Sequence, residues 1–190
     1  MLNPMRHVVI SLLRGVNVGG HNKIRMETLR ALYAGLGLGD VQTYLQSGNV
    51  LFTTDKRSLD GLAREIEDAL ERECGFRPSV IQRTAAGLGE VVRNNPFANR
   101  TDVEPAKLAV IFLARDPGEA ARNKVLAMQI APEELVFGSR EYYVHFPHGM
   151  GRTKFPYAAV DRALGTPGTG RNWNSVTNLL KMAEKLEAAR

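Results

Sequence analysis

Cysteine is almost absent from this chain. Cys74 is the only one in 190 residues, so no disulfide can form within the chain, and a reducing compartment fits that usage. It stands just before Gly75 at the end of a helical stretch, and reads as a packed thiol, not a nucleophile. Long apolar runs are also missing. Val8-Val9-Ile10 and Leu12-Leu13 are cut off by Arg14, too short for a secretory leader, and nothing approaches the roughly 20 residues of a membrane span. No block of like charge exists either. Through Phe97 there are 12 Lys and Arg against 10 Asp and Glu, and from Ala98 onward 13 against 10. The formal charge of +5 therefore suits an anionic ligand without the basic arm of a nucleic-acid binder. A cytoplasmic protein with no membrane partner is the expectation.

Catalytic signatures are lacking as well. The loop at Gly15 has no Gly-Lys-Ser/Thr ending, and Gly165–Gly170 does not carry dinucleotide spacing. No Gly-x-Ser-x-Gly elbow surrounds Ser47. His145 and His148 stand three apart at a strand end, where alternation separates them, so no metal pair is expected. Glu65, Glu67, Asp68 and Glu71 read as the solvated face of a helix. His21 beside Lys23 could act as an acid or base, but no carboxylate pair or nucleophile–base pair supports it. The sequence assigns no reaction and no cofactor.

What is present is a repeated order of elements in a chain that is 44% hydrophobic and 24% charged, ordinary globular usage. Residues 6–14 read as a strand apolar on both alternating faces, hence buried on both sides. Met26, Leu29, Leu32, Tyr33 and Leu36 recur at helical spacing, and Gly35 and Gly37 end that helix. Residues 41–46 and 49–54 are two strands around a Ser47-Gly48 hairpin signal. Ser58 caps a helix bearing Leu59, Leu62, Ile66 and Leu70, and Pro78 to Gln82 is the fourth strand. A short helix from Thr84 to Arg93 trails. The order then restarts: a strand at Lys107–Ala114, a helix from Pro117, a hairpin over Gly138-Ser139-Arg140, a helix from Phe155 to Leu164, an extended piece at Thr169–Arg171 and a last helix. The predicted fold is α+β, a duplication of two tandem ferredoxin-like (α/β plait, βαββαβ) halves, each with a trailing helix. The halves span 1–97 and 107–190, with 98–106 a proline-bracketed linker. Something must cover the second face of each sheet. The central strands read Val9, Ile10, Ser11, Leu12 and Asn49, Val50, Leu51, Phe52, without the aromatics of a base-stacking sheet.

Polar residues converge twice. In the first half, the strand-one exit and the hairpin fall at one end of the sheet, gathering Arg14, Asn17, His21, Asn22, Lys23, Gln46, Ser47 and Asn49. In the second half, the exits through Gly151, Arg152, Thr153 and Lys154 and through Arg171, Asn172, Trp173 and Asn174 share an edge. Cations beside helix starts oppose the macrodipole unless an anion sits there. The plainer reading is that asparagine and serine satisfy turn backbone, Asn174 or Ser175 caps the last helix, and Trp173 anchors it.

Residues 13–24, Leu-Arg-Gly-Val-Asn-Val-Gly-Gly-His-Asn-Lys-Ile, with 44–50, Tyr-Leu-Gln-Ser-Gly-Asn-Val, resemble the signature of an uncharacterised bacterial family, domain of unknown function 1697. Gly149–Lys154 and Arg171–Val176 are similar to that family's second block. Thr153 stands where the family often has serine, and Pro167–Gly170 is richer in glycine than its pattern. The resemblance implies two α/β-plait halves and brings no activity. The function these residues support is binding of a phosphate-bearing or otherwise anionic small molecule. Lys23, Arg152, Lys154 and Arg171 would grip it, with Trp173 offered to stack on a ring. The alternatives are a nucleic-acid-associated protein binding through backbone phosphates, which is less favoured, and a structural or interaction module. Oligomeric state is not encoded in any motif.

Overall fold

The computed structural model describes residues 6–190. They fall into two compact units, one running to Gly89 and taking in Leu179–Arg190, the other Glu90–Asn178. The first contains β1 (His7–Leu13), α1 (Met26–Gly35), β2 (Gly39–Tyr44), β3 (Asn49–Thr54), α2 (Leu59–Cys74) and β4 (Val80–Thr84). Its antiparallel sheet has the order β2-β3-β1-β4, with Ile10 opposite Leu51 and Arg83. Alternation along β1 sends Val9 and Leu13 toward the helices, where they join Leu29 and Tyr33 of α1 and Leu62, Ile66 and Leu70 of α2. The four-residue spacing of those helix positions makes one apolar stripe. Ser58 Oγ accepts the Gly61 N–H at 3.2 Å, and Gly75, left-handed at φ 74°, ends α2. Val8, Ile10 and Leu12, on the other face, are fully buried too, as apolar character on both faces requires.

After α3 (Ala85–Arg93) the chain repeats the order: β5 (Leu108–Leu113), α4 (Glu119–Leu126), β6 (Glu134–Phe137), β7 (Glu141–His145), α5 (Tyr157–Leu164) and β8 (Gly168–Asn172), followed by α6 (Trp173–Ala188), whose residues from Leu179 onward count with the first unit. The strand order β6-β7-β5-β8 matches the first sheet position for position. The fold is α+β with two ferredoxin-like halves. Ala109, Ile111 and Leu113 face Val125 of α4 and Val160 and Leu164 of α5. Leu108, Val110, Phe112 and Tyr143 are buried on the opposite face, and the Tyr143 hydroxyl donates to the Val91 carbonyl at 2.7 Å. Each large aliphatic side chain so buried contributes about 1.5–3 kcal/mol.

Three local details differ from the sequence reading. The first hairpin turns over four residues, 45–48, because Leu45 takes a left-handed φ of 58°. The fourth helix starts at Glu119, since Gly118 ahead of it is non-helical, with a positive φ of 77° and ψ 164° that glycine tolerates. The extended piece near Thr169 is a full five-residue strand. Its glycines allow this: a Cβ on Gly168 would lie 3.1 Å from both Ile111 Cγ2 and Leu113 Cδ2, so a bare backbone lets β8 close on β5.

Candidate functional site

The first polar cluster assembles at the end of β1. Leu13 N–H donates to Gly48 O at 2.9 Å and Arg14 N–H to Ser79 O at 2.9 Å, so the exit is tied to both neighbouring strands. A Cβ on Gly48 would lie 2.8 Å from that of Leu13, which fixes how closely the hairpin sits. From Gly15 onward the backbone is left-handed at Gly15, Asn17, Gly19, Gly20 and Asn22. Asn17 holds it there. Its Nδ2 donates to Ile24 O at 3.0 Å and to Gln46 O at 2.7 Å, and its Oδ1 accepts the Ile24 N–H at 2.9 Å. Asn22 Nδ2 donates to Gly15 O at 3.1 Å. In the hairpin, buried Asn49 donates through Nδ2 to Tyr44 O at 2.8 Å and to Ser47 Oγ at 3.0 Å.

The structure thus brings the eight residues together and divides their work. Asn17, Asn22 and Asn49 satisfy turn backbone, as short polar side chains do in turns, and the Ser47 hydroxyl oxygen accepts from the Asn49 amide. Gln46 is exposed and contributes its carbonyl to Asn17, and Arg14 is half-buried. The His21 ring and Lys23 ammonium are exposed, with no side-chain partner among the described residues. Neither 14–26 nor 41–54 contains a carboxylate.

The second cluster separates. Opposite β5, Leu108 pairs with His145 and Ala109 with Asn172, so both exits do leave from one end of the sheet. Arg171, however, points to the face away from α4 and α5. It is buried there, its Nη1 donating to Thr169 Oγ1 and to Gly170 O, each at 2.8 Å. Burial pushes its guanidinium down to about 10. Asn172 caps α6: its Oδ1 accepts the Asn174 N–H at 3.0 Å, while its Nδ2 donates to Ala106 O at 3.0 Å. Trp173 opens α6 half-buried, and Asn174 is exposed. Across β5, Gly151 and Arg152 belong to a short 3-10 turn; the Arg152 side chain lies outside the described residues. Thr153 donates to Glu133 and accepts the Phe155 N–H at 3.0 Å. Lys154 lines a cavity with His148 and residues 129–133, and Arg171 is not part of that lining.

The sequence reading passed over one charged network. Glu134 lies opposite His145 across β6 and β7. Its Oε1 is 3.1 Å from His145 Nδ1, and its Oε2 accepts from Arg100 Nη1 at 2.6 Å. Arg100 also pairs with Asp102, whose carboxyl it draws down to about 2. The Arg100 hydrogen bond, then that of His145, holds the Glu134 carboxyl below the usual range. A lowered folded-state pKa contributes stability that is complete above the unfolded value and lost as pH falls through the folded one. The resistance of the wild type to urea should therefore fall on acidification below the ordinary glutamate range of about 4.3. The Glu134→Gln variant should show a shallower loss over that interval; an identical acid limb would remove Glu134 from the account. Among the described residues no group of His, Cys, Asp and Glu could hold a metal, and no helix is long and apolar enough to cross a membrane.

Residues 5–143 match the family described as "Protein of unknown function (DUF1697)". The chain belongs to the DUF1697 family. The matched span includes the whole Gly15–Asn49 cluster and ends before the 148–154 loop. Conserved bacterial protein SP0830 from Streptococcus pneumoniae is similar in structure, with a TM-score of 0.72 at 24% identity, over 94% of this chain and 99% of that one. At that identity the likeness establishes the fold alone. No curated protein matches.

Proposed function

We propose that this DUF1697 protein binds a small anionic molecule, phosphate-bearing by preference, at the loop of residues 15–23. One observation carries the reading. Asn17 pins a loop with five left-handed positions between Gly15 and Asn22, and that loop presents exposed His21 and Lys23 from a segment, 14–26, that contains no carboxylate. Left-handed backbone turns amide N–H groups outward in the manner of anion-binding concavities. The non-glycine members, Asn17 and Asn22, are held in a sparsely populated region, and such positions cluster at ligand sites. A cation on the rim adds a charge-assisted hydrogen bond to a phosphate oxygen.

The test is an amide NMR titration with inorganic phosphate and with AMP. Shifts should concentrate at residues 15–23, and Lys23→Ala should weaken the response by about tenfold, the value of one charge-assisted bond. No response at millimolar ligand, or one that Lys23→Ala leaves intact, rejects the proposal. A steeply salt-dependent interaction with a mixed-sequence oligonucleotide, in place of the phosphate response, would favour backbone-phosphate binding instead.

A further inference from the structure

The second unit carries a cavity that owes nothing to the loop of residues 15–23. It is an open cleft of about 320 Å³ beside the α4–β6 connection, lined by exposed Gln129, Ala131, Pro132, His148 and Lys154 and half-buried Ile130 and Glu133, at the low end of the size of small-ligand sites. Ile130, Ala131 and Pro132 give it an apolar wall, while Gln129, Glu133, His148 and Lys154 supply the polar groups. Glu133 receives the Thr153 hydroxyl on Oε1, which fixes the carboxylate and leaves Oε2 without a hydrogen bond among the described residues. The Gln129 amide, the His148 ring and the Lys154 ammonium also have no partner among them, and no ion pair joins Lys154 to Glu133. One cavity thus offers a separate charge of each sign, an amide and an imidazole, next to an apolar wall.

That combination selects among ligands. A phosphate dianion attracted to Lys154 would also face the Glu133 carboxylate. An uncharged apolar molecule would engage the wall and pair with neither charge. A zwitterion satisfies both. We infer that this cavity is a site for a free α-amino acid with an apolar side chain. The ligand carboxylate accepts from Lys154, with His148 and Gln129 beside it; the ligand ammonium donates to Glu133 Oε2; and the side chain lies against Ile130 and Pro132. Complementary charges fix orientation as well as affinity, because reversing the ligand would set like against like.

L-Leucine, 4-methylpentanoate (which lacks the amine) and 3-methylbutylamine (which lacks the carboxylate) separate the two charge contacts when titrated into the full-length protein by NMR. Leucine should shift amides at residues 129–133 and 148–154, and each half-analogue should bind about tenfold more weakly, one charge-assisted bond being lost in each. In Glu133→Gln the preference for leucine over 4-methylpentanoate should disappear while the preference over 3-methylbutylamine stays. In Lys154→Ala, an exposed position where folding is not at stake, the pattern should invert. Leucine binding no better than either analogue, inorganic phosphate binding more tightly at these amides, or preferences unchanged in both variants would each overturn the inference. None of these readouts involves Lys23, so the outcome is independent of the anion titration.

Discussion

Asn17→Ala should lower the unfolding free energy by about 2–3 kcal/mol, a large share of the stability of a small domain. The side chain makes three hydrogen bonds, to both backbone groups of Ile24 and to the carbonyl of Gln46. Each is worth about 1 kcal/mol net, and partial exposure lets water recover some of the loss. Alanine must also adopt the left-handed φ of 55°, which costs an ordinary L-residue about 1–2 kcal/mol and asparagine less. Asn17→Gly isolates the two contributions. Glycine loses the same hydrogen bonds but enters this conformation without steric cost, so it should be the milder variant. Asn17→Asp keeps the acceptor for the Ile24 N–H and loses both donors, and its carboxylate then faces two carbonyl oxygens. Urea denaturation of all three measures the order. A glycine variant as damaged as the alanine one would remove backbone conformation from the account; an unaffected alanine variant would remove the staple itself. The anion response should fall in all three even though Lys23 is untouched, since the loop that presents it is no longer held.

Much of this architecture was legible in the residue pattern, for physical reasons. β1 and β5 are apolar at both alternating positions, which only a strand buried on two faces tolerates. The stripe Leu62, Ile66, Leu70 recurs at helical spacing, and the same string of elements appears twice. Because β1 and β2 run parallel in a βαββ unit, the gathering of residues 15–24 with the hairpin followed from topology alone. The Glu134–His145 pair was legible too and went unread: with Phe137 opposite Tyr142 across the turn, three further steps place Glu134 against His145. Other features had no signal of that kind. Asn17 reaches Gln46 across 29 positions, and nothing local tells an amide that staples backbone from one that meets a ligand. The cavity at Lys154 needs the α4–β6 connection to fold back beside residues 148–154, and neither segment has a periodicity that fixes its path. Arg171 was beyond reach for a related reason: β8 reads Gly-Thr-Gly-Arg-Asn, with no apolar alternation to say which residues face the helices.

That assignment of face decides what Arg171→Ala will do. On the surface, the substitution would cost a few tenths of a kcal/mol. At the observed position it should cost about 3–5 kcal/mol, because two hydrogen bonds from a charged donor, each worth about 1.5–3 kcal/mol, are lost inside the protein. The Thr169 hydroxyl and Gly170 carbonyl both lose their donor inside the protein, and truncation leaves a void next to Val110, the residue opposite in the sheet. Arg171→Met discriminates between these terms. It keeps most of the volume and removes the desolvated charge that burial already disfavours, so it should be clearly milder than alanine although it makes neither hydrogen bond. The first sheet supports treating this as a structural device of the plait. Arg83, which sits opposite Ile10 as Arg171 sits opposite Val110, is also buried, and its Nη1 donates to the preceding carbonyl at the same 2.8 Å. Calorimetric melting should therefore rank Arg171→Ala well below Arg171→Met and the wild type, and Arg83→Ala should fall similarly. Phosphate titrated into folded Arg171→Ala at low temperature should still shift residues 15–23 as in the wild type. A fully stable alanine variant that has lost the phosphate response would return Arg171 to the ligand surface and reverse this assignment.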